Sequence, residues 1–118
     1  MKILVTGGLG FIGSSFIRKV INLNKNIKIY NIDKKSYASY DHNKKFFLYK
    51  NYKFFKEDIL NFNKIKILIK KIKPNYIVNF ASETHVDNSI KDSKLFINNN
   101  IFLTYNLLES IRILKLNN

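Results

Sequence analysis

The order of apolar and polar positions divides the chain into short blocks of two kinds. Residues 2–6 form a brief apolar run of strand length. Residues 11–23 place Phe11, Ile12, Phe16, Ile17, Val20, Ile21 and Leu23 at helical spacing, and Asn26 is expected to close that helix. Residues 27–32 alternate through Ile27, Ile29 and Ile32 as a second strand. Residues 33–51 show no clean period and read as a long polar loop with room for a turn of helix. Residues 52–56 read as a third strand. In 61–73 a stripe of Ile65, Leu68, Ile69 and Ile72 predicts a helix that Pro74 stops. Residues 76–81 are a fourth apolar strand. Residues 93–116 predict one long helix, with Asp92 or Ser93 as its cap.

Strands that alternate with helices predict an α/β fold built on a parallel sheet. Strands with few polar positions fit a sheet covered on both faces. At 118 residues the chain is one domain by length. The absence of Cys excludes a disulfide scaffold and any Cys-ligated metal site. Two His make a His-rich metal site unexpected. No apolar run approaches the ~18 residues of a membrane span, and no secretory leader is read, so a cytoplasmic location is expected.

The net charge of +13 raises the question of nucleic acid. The basic set is 19 Lys and only two Arg, Arg18 and Arg112, whereas Arg is the residue that reads bases and phosphates in a bidentate way. Ile, Lys and Asn together make 54 of the 118 residues, and all three have A/T-rich codons. Lys enrichment is therefore expected to be surface drift from genomic composition. Neither nucleic acid nor membrane is expected as a partner. The segment 34–73 carries twelve Lys against Asp41, Glu57 and Asp58, and is expected at the surface.

All four Gly fall within seven positions, Gly7, Gly8, Gly10 and Gly13, between the first strand and the first helix. That context is what a dinucleotide-binding glycine turn requires. Glycine allows a tight turn and a close approach of backbone to pyrophosphate, and the helix N-terminus faces the phosphates with free N–H groups. Gly13 lets the helix pack closely on the strand. Asp33, twenty residues past Gly13 at the end of the second strand, suits the adenosine ribose hydroxyls and disfavours a 2′-phosphate. NAD is the expected cofactor. Lys34 and Lys35 could soften the repulsion of a 2′-phosphate.

The run Thr6-Gly7-Gly8-x-Gly10-Phe11-Ile12-Gly13 resembles the opening of the extended short-chain dehydrogenase/reductase family of nucleotide-sugar enzymes. The runs Asp33-Lys34-Lys35-Ser36-Tyr37-Ala38, Glu57-Asp58-Ile59, 79–90 and Asn100-x-x-x-Thr104-Tyr105-Asn106-Leu107-Leu108-Glu109 resemble those of dTDP-glucose 4,6-dehydratases within it. The resemblance implies a Rossmann-type sheet of strand order 3-2-1-4, with residues 1–118 forming an NAD(P)-binding domain. It implies that Gly7, Gly10, Phe11, Ile12 and Gly13 make the pyrophosphate turn. Asp33, Lys34 and Ser36 would hold the adenosine ribose, and Asp58 and Ile59 would flank the adenine. Phe80, Ala81, Ser82 and Thr84 would run beneath the cofactor toward the nicotinamide. Thr84 and His85 would approach the sugar nucleotide, although His85 fits a backbone-bonded structural role equally well. Asp87 fits a cap or brace of its loop. Asn99 stands where the family usually has Thr.

Such enzymes oxidise the sugar at C4, eliminate water across C5–C6 and reduce C6. The chemistry uses a Tyr-x-x-x-Lys pair and an Asp-Glu pair that lie later in the topology. The spacing matches Tyr40-x-x-x-Lys44 and Tyr49-x-x-x-Lys53 fall too early, so no catalytic residue is assigned. The chain is read as the N-terminal part of a nucleotide-sugar dehydratase, truncated before the fifth strand, with dTDP-glucose the expected substrate of the complete enzyme. An epimerase of the same family and a non-catalytic NAD-binding fragment are the alternatives. The fourth strand is expected to be an open edge, which a homodimer or a complementing C-terminal half would cover.

Overall fold

The computed structural model describes residues 1–35, 41–84, 90 and 92–115. Four parallel strands, β1 (Lys2–Thr6), β2 (Lys28–Asp33), β3 (Tyr52–Lys56) and β4 (Tyr76–Asn79), lie in the order β3-β2-β1-β4. Register runs Ile3 to Ile29 and Tyr76, and Ile29 to Tyr52. Helix α1 (Phe11–Leu23) joins β1 to β2, and α2 (Phe62–Ile72) joins β3 to β4. A 3₁₀ helix, Asp41–Leu48, occupies part of the β2–β3 connection. After β4 come α3 (Ser93–Ile97), one turn of π-helix (Asn98–Phe102) and α4 (Leu103–Leu114).

Alternation along β1 divides the core. Leu4 faces Ile32, Ile65, Ile69, Leu103 and Leu107 on the side of α2 and α4. Ile3 and Val5 face Ile17, Ile21, Phe46 and Tyr52 on the side of α1 and the 3₁₀ helix. The expectation of a parallel sheet covered on both faces and ordered 3-2-1-4 is met. Ile3, Leu4 and Val5 of β1 are apolar in succession because both faces of the strand are buried.

Boundaries shift where hydrogen bonds settle them. β2 runs one residue past the expected end, because the Asp33 carbonyl accepts from Glu57 N at 3.3 Å. β4 ends at Asn79, two residues early, although Phe80 N still donates to the Thr6 carbonyl at 3.0 Å. Helix α1 is capped at Asn24 and not at Asn26, since the Asn24 amide closes onto the Val20 carbonyl. Asn61 caps α2 by accepting from Lys64 N, and Asp92 caps α3 by accepting from Leu95 N at 2.9 Å. The expected single helix over 93–116 is interrupted by the π turn, a feature that apolar spacing does not reveal. No helix among the described residues is long and apolar enough to cross a membrane.

Candidate functional site

The glycine turn is held from below by two side chains of β2. The Gly8 amide donates to Asn31 Oδ1 at 3.1 Å, and the Leu9 amide donates to Asp33 Oδ2 at 3.0 Å. Gly7 N donates to the Ile32 carbonyl and Gly10 N to the Gly7 carbonyl. The amides of residues 7 to 10 are thus all engaged within the protein. Helix geometry leaves the amides of Ile12 and Gly13, in the first turn of α1, without an intrahelical acceptor. An anion at this turn would meet those groups and the positive end of the helix.

Gly7 has φ +66°, and a Cβ there would lie 2.5 Å from Ala81 N. The turn therefore sits directly on the segment that leaves β4. A Cβ on Gly13 would run into the Gly7 carbonyl oxygen and come within 2.8 Å of Gly8 Cα. Gly13 is buried and packs against the glycine turn, not against the strand, and it does not line the groove above the strand ends.

Above the carboxyl ends of the strands lies a groove of about 700 Å³, including its open mouth. Gly7, Gly10, Asp33, Lys34, Asp58, Ile59, Phe80, Ala81, Ser82 and Thr84 all line it, so ten of the expected residues converge. Phe11 and Ile12 do not line it: their side chains are 70% and 66% exposed on the first turn of α1. Ser36, His85, Asp87 and Tyr40 lie outside the described residues. Tyr49 and Lys53 lie away from the groove, Lys53 with its ammonium 5.5 Å from the Phe55 ring centroid.

Four lining residues add to those assigned from sequence: Glu57, Glu83, Asn99 and Leu103. Glu57 pairs with Lys64 at 3.0 Å. Glu83 is held on every side. Its amide donates to Asn100 Oδ1 at 2.8 Å, its carbonyl accepts from Asn100 Nδ2 at 3.0 Å, and its carboxylate faces Lys34 Nζ at 3.3 Å and Asn99 Nδ2 at 3.4 Å. The π turn brings Asn99 and Asn100, consecutive residues, onto one partner. Asn99, noted in the sequence only as a departure, is buried here. From α4, Asn106 Nδ2 donates to the carbonyls of Ile59 and Leu60, which fixes the loop after β3.

The groove is acidic in a strongly basic chain. Asp33, Glu57, Asp58 and Glu83 line it, half of the eight acidic residues, while Lys34 is the one cation lining it among the described residues. Carboxylates at strand ends accept hydrogen bonds from sugar hydroxyls, whereas the glycine turn and helix end attract phosphate. The described residues contain no group of three or more His, Cys, Asp or Glu placed to hold a metal ion.

A parallel 3-2-1-4 sheet whose glycine turn opens onto a groove at the strand ends is a Rossmann-type fold. The family model described as GDP-mannose 4,6 dehydratase matches residues 4–118, and the chain belongs to that family. The dTDP-glucose 4,6-dehydratase of Haemophilus influenzae is 43% identical over 116 residues, covering 92% of this chain and 32% of that enzyme. The dTDP-glucose 4,6-dehydratase of Bacillus anthracis, solved in complex with NAD, has a TM-score of 0.82 at 36% identity, covering 96% of this chain and 34% of that one. The UDP-Glc/GlcNAc 4-epimerase of Campylobacter jejuni has a TM-score of 0.87 at 30% identity, covering 98% and 35%. The chain spans about a third of the length of the curated relatives it matches.

Proposed function

We propose that this chain binds NAD and forms the cofactor side of a dTDP-glucose 4,6-dehydratase. The observation that carries the reading is the joint between the glycine turn and β4. Gly7 at φ +66° packs directly on Ala81 with no room for a Cβ, and this joint forms the base of a groove that Asp33 also lines. The groove, with a glycine turn and helix end for phosphate and carboxylates at the strand ends for sugar hydroxyls, fits a dinucleotide. The first-turn amides of α1 would hold the pyrophosphate, and Asp33 with Lys34 and Ser36 would hold the adenosine ribose. Asp58 and Ile59 would flank the adenine. Phe80, Ala81, Ser82 and Thr84 would support the nicotinamide side, with Thr84 and His85 toward the sugar.

NAD, when bound, supplies an acceptor and later a donor of hydride for oxidation at C4 and reduction at C6 of the sugar. The chain's own residues bind and orient. None is assigned a proton transfer, and residues 1–118 are read as the NAD-binding domain. The dehydratase is favoured over the sister epimerase by the greater identity to dehydratases and by the resemblance of 79–90. Pairing with a second copy, or with a complementing C-terminal half, would cover the outer edge of β4. Titration of NAD into the purified chain, followed by calorimetry, tests the reading. Saturable binding supports it, and no binding at about millimolar NAD, a weak affinity on any scale, overturns it.

A further inference from the structure

Among the described residues the one cation lining the groove, Lys34, is held by a carboxylate from another segment. Lys34 follows Asp33 at the end of β2, while Glu83 lies beyond β4, and the two meet at 3.3 Å. Glu83 cannot easily swing away, because Asn100 fixes its backbone at both the amide and the carbonyl, and Asn99 reaches its carboxylate. The pair is partly shielded, with the Glu83 side chain 18% exposed and that of Lys34 41%.

A lysine beside the ribose-binding carboxylate has a second option. A free ammonium there would pair with a 2′-phosphate and offset the repulsion from Asp33. Glu83 removes that option by taking the ammonium itself. It also adds a negative charge to the same groove. We propose that Glu83 is a positioning residue for cofactor choice, which holds Lys34 away from a 2′-phosphate and so disfavours NADP. The proposal rests on the NAD-binding reading above.

The Glu83→Gln variant keeps the backbone anchors and the side-chain volume and removes the charge. Affinities for NAD and NADP would be measured on the full chain for the parent, Glu83→Gln, Lys34→Met and the double variant. The expected result is about a tenfold gain in NADP affinity for Glu83→Gln, about 1.4 kcal/mol by the tenfold rule, with NAD affinity held within about twofold. In the Lys34→Met background the same change should have little effect on the NADP-to-NAD ratio. An unchanged ratio in Glu83→Gln overturns the proposal, as does an equal gain in the presence and absence of Lys34. A parent chain that binds neither nucleotide overturns the NAD-binding reading instead, and is distinguished by the failure of NAD itself.

Discussion

Asn31 and Tyr52 form a buried pair under the glycine turn: Asn31 Nδ2 donates to Tyr52 Oη at 2.9 Å while Asn31 Oδ1 accepts from Gly8 N. The two bonds fix the orientation of the amide, since only its oxygen can serve the Gly8 N–H. Asn31 is fully buried. In Asn31→Ala the Gly8 amide is left buried without an acceptor, at a cost of about 1–3 kcal/mol. Chemical denaturation should show that loss. NAD titration should show weaker binding, because the turn is no longer held. In Tyr52→Phe the ring stays packed against Phe46 and Phe47, and the loss should be smaller.

The same pair sets an alkaline limit on stability. The Tyr52 phenol is pushed from 10.0 up to about 12, chiefly by burial; the bond from Asn31 lowers it and the charge of Asp33 raises it. The folded state therefore keeps this proton more tightly than the unfolded chain. Its contribution is fully present below the unfolded value of 10.0 and is lost as pH rises toward about 12. The informative quantity is the difference between the parent and a variant that lacks the phenol. Denaturation midpoints of the parent should fall more steeply with pH across this window than those of Tyr52→Phe. Parallel slopes would show that the phenol contributes nothing.

Gly7 and Gly10 should respond very differently to alanine. At Gly7 the new Cβ meets the Ala81 backbone, and φ +66° itself disfavours any L side chain by about 1–2 kcal/mol. The backbone of two elements must shift, so Gly7→Ala should lower the melting temperature and abolish NAD binding. At Gly10 the nearest atom is the Gly7 carbonyl oxygen at 3.3 Å, and φ is an ordinary −74°. Gly10→Ala should fold with little loss and weaken NAD only through its methyl group in the groove. Circular dichroism melts alongside NAD titration separate the two effects. Equal melting temperatures for the two variants would contradict the geometry.

Most of the fold could be read from the chain because its signals are local. The period of Ile65, Ile69 and Ile72, the apolar run of β1 and the clustered glycines are each visible within a dozen residues. The groove was legible where a motif carried it: Gly7, Asp33, Asp58 and Ala81 converge as expected. What escaped depends on contacts between distant segments. Glu83 gains its place from Asn99 and Asn100, sixteen and seventeen residues away, through a π turn that leaves no periodic trace. Asn31, a polar position between Tyr30 and Ile32 of β2, is a support of the turn. A buried Asn in a central strand is the signal that could have revealed it, because such a group must find partners. The side chains of Phe11 and Ile12, expected at the site, instead lie outside the groove, exposed on the first turn of α1.

Lys73 offers a test of the fold that leaves the site untouched. It ends α2 in the left-handed region, φ 48° and ψ 65°, with its amide donating to the Ile69 carbonyl at 2.9 Å. Helices commonly end this way on glycine, which carries no Cβ to strain. A lysine there costs about 1 kcal/mol relative to glycine in the same conformation. Pro74 follows and blocks any continuation of the helix, so the αL residue cannot be relieved by adding a turn. The Lys73→Gly variant should therefore be stabilised, although part of the gain is offset by the greater freedom of glycine in the unfolded chain. A rise in denaturation midpoint of a few tenths to about 1 kcal/mol is expected, with NAD affinity unchanged. Lys73→Ala, which keeps the Cβ and its strain while removing the charge and its alkyl stem, should show no such gain. A gain in the alanine variant equal to that in the glycine variant would assign the effect to relief of positive charge rather than to backbone conformation.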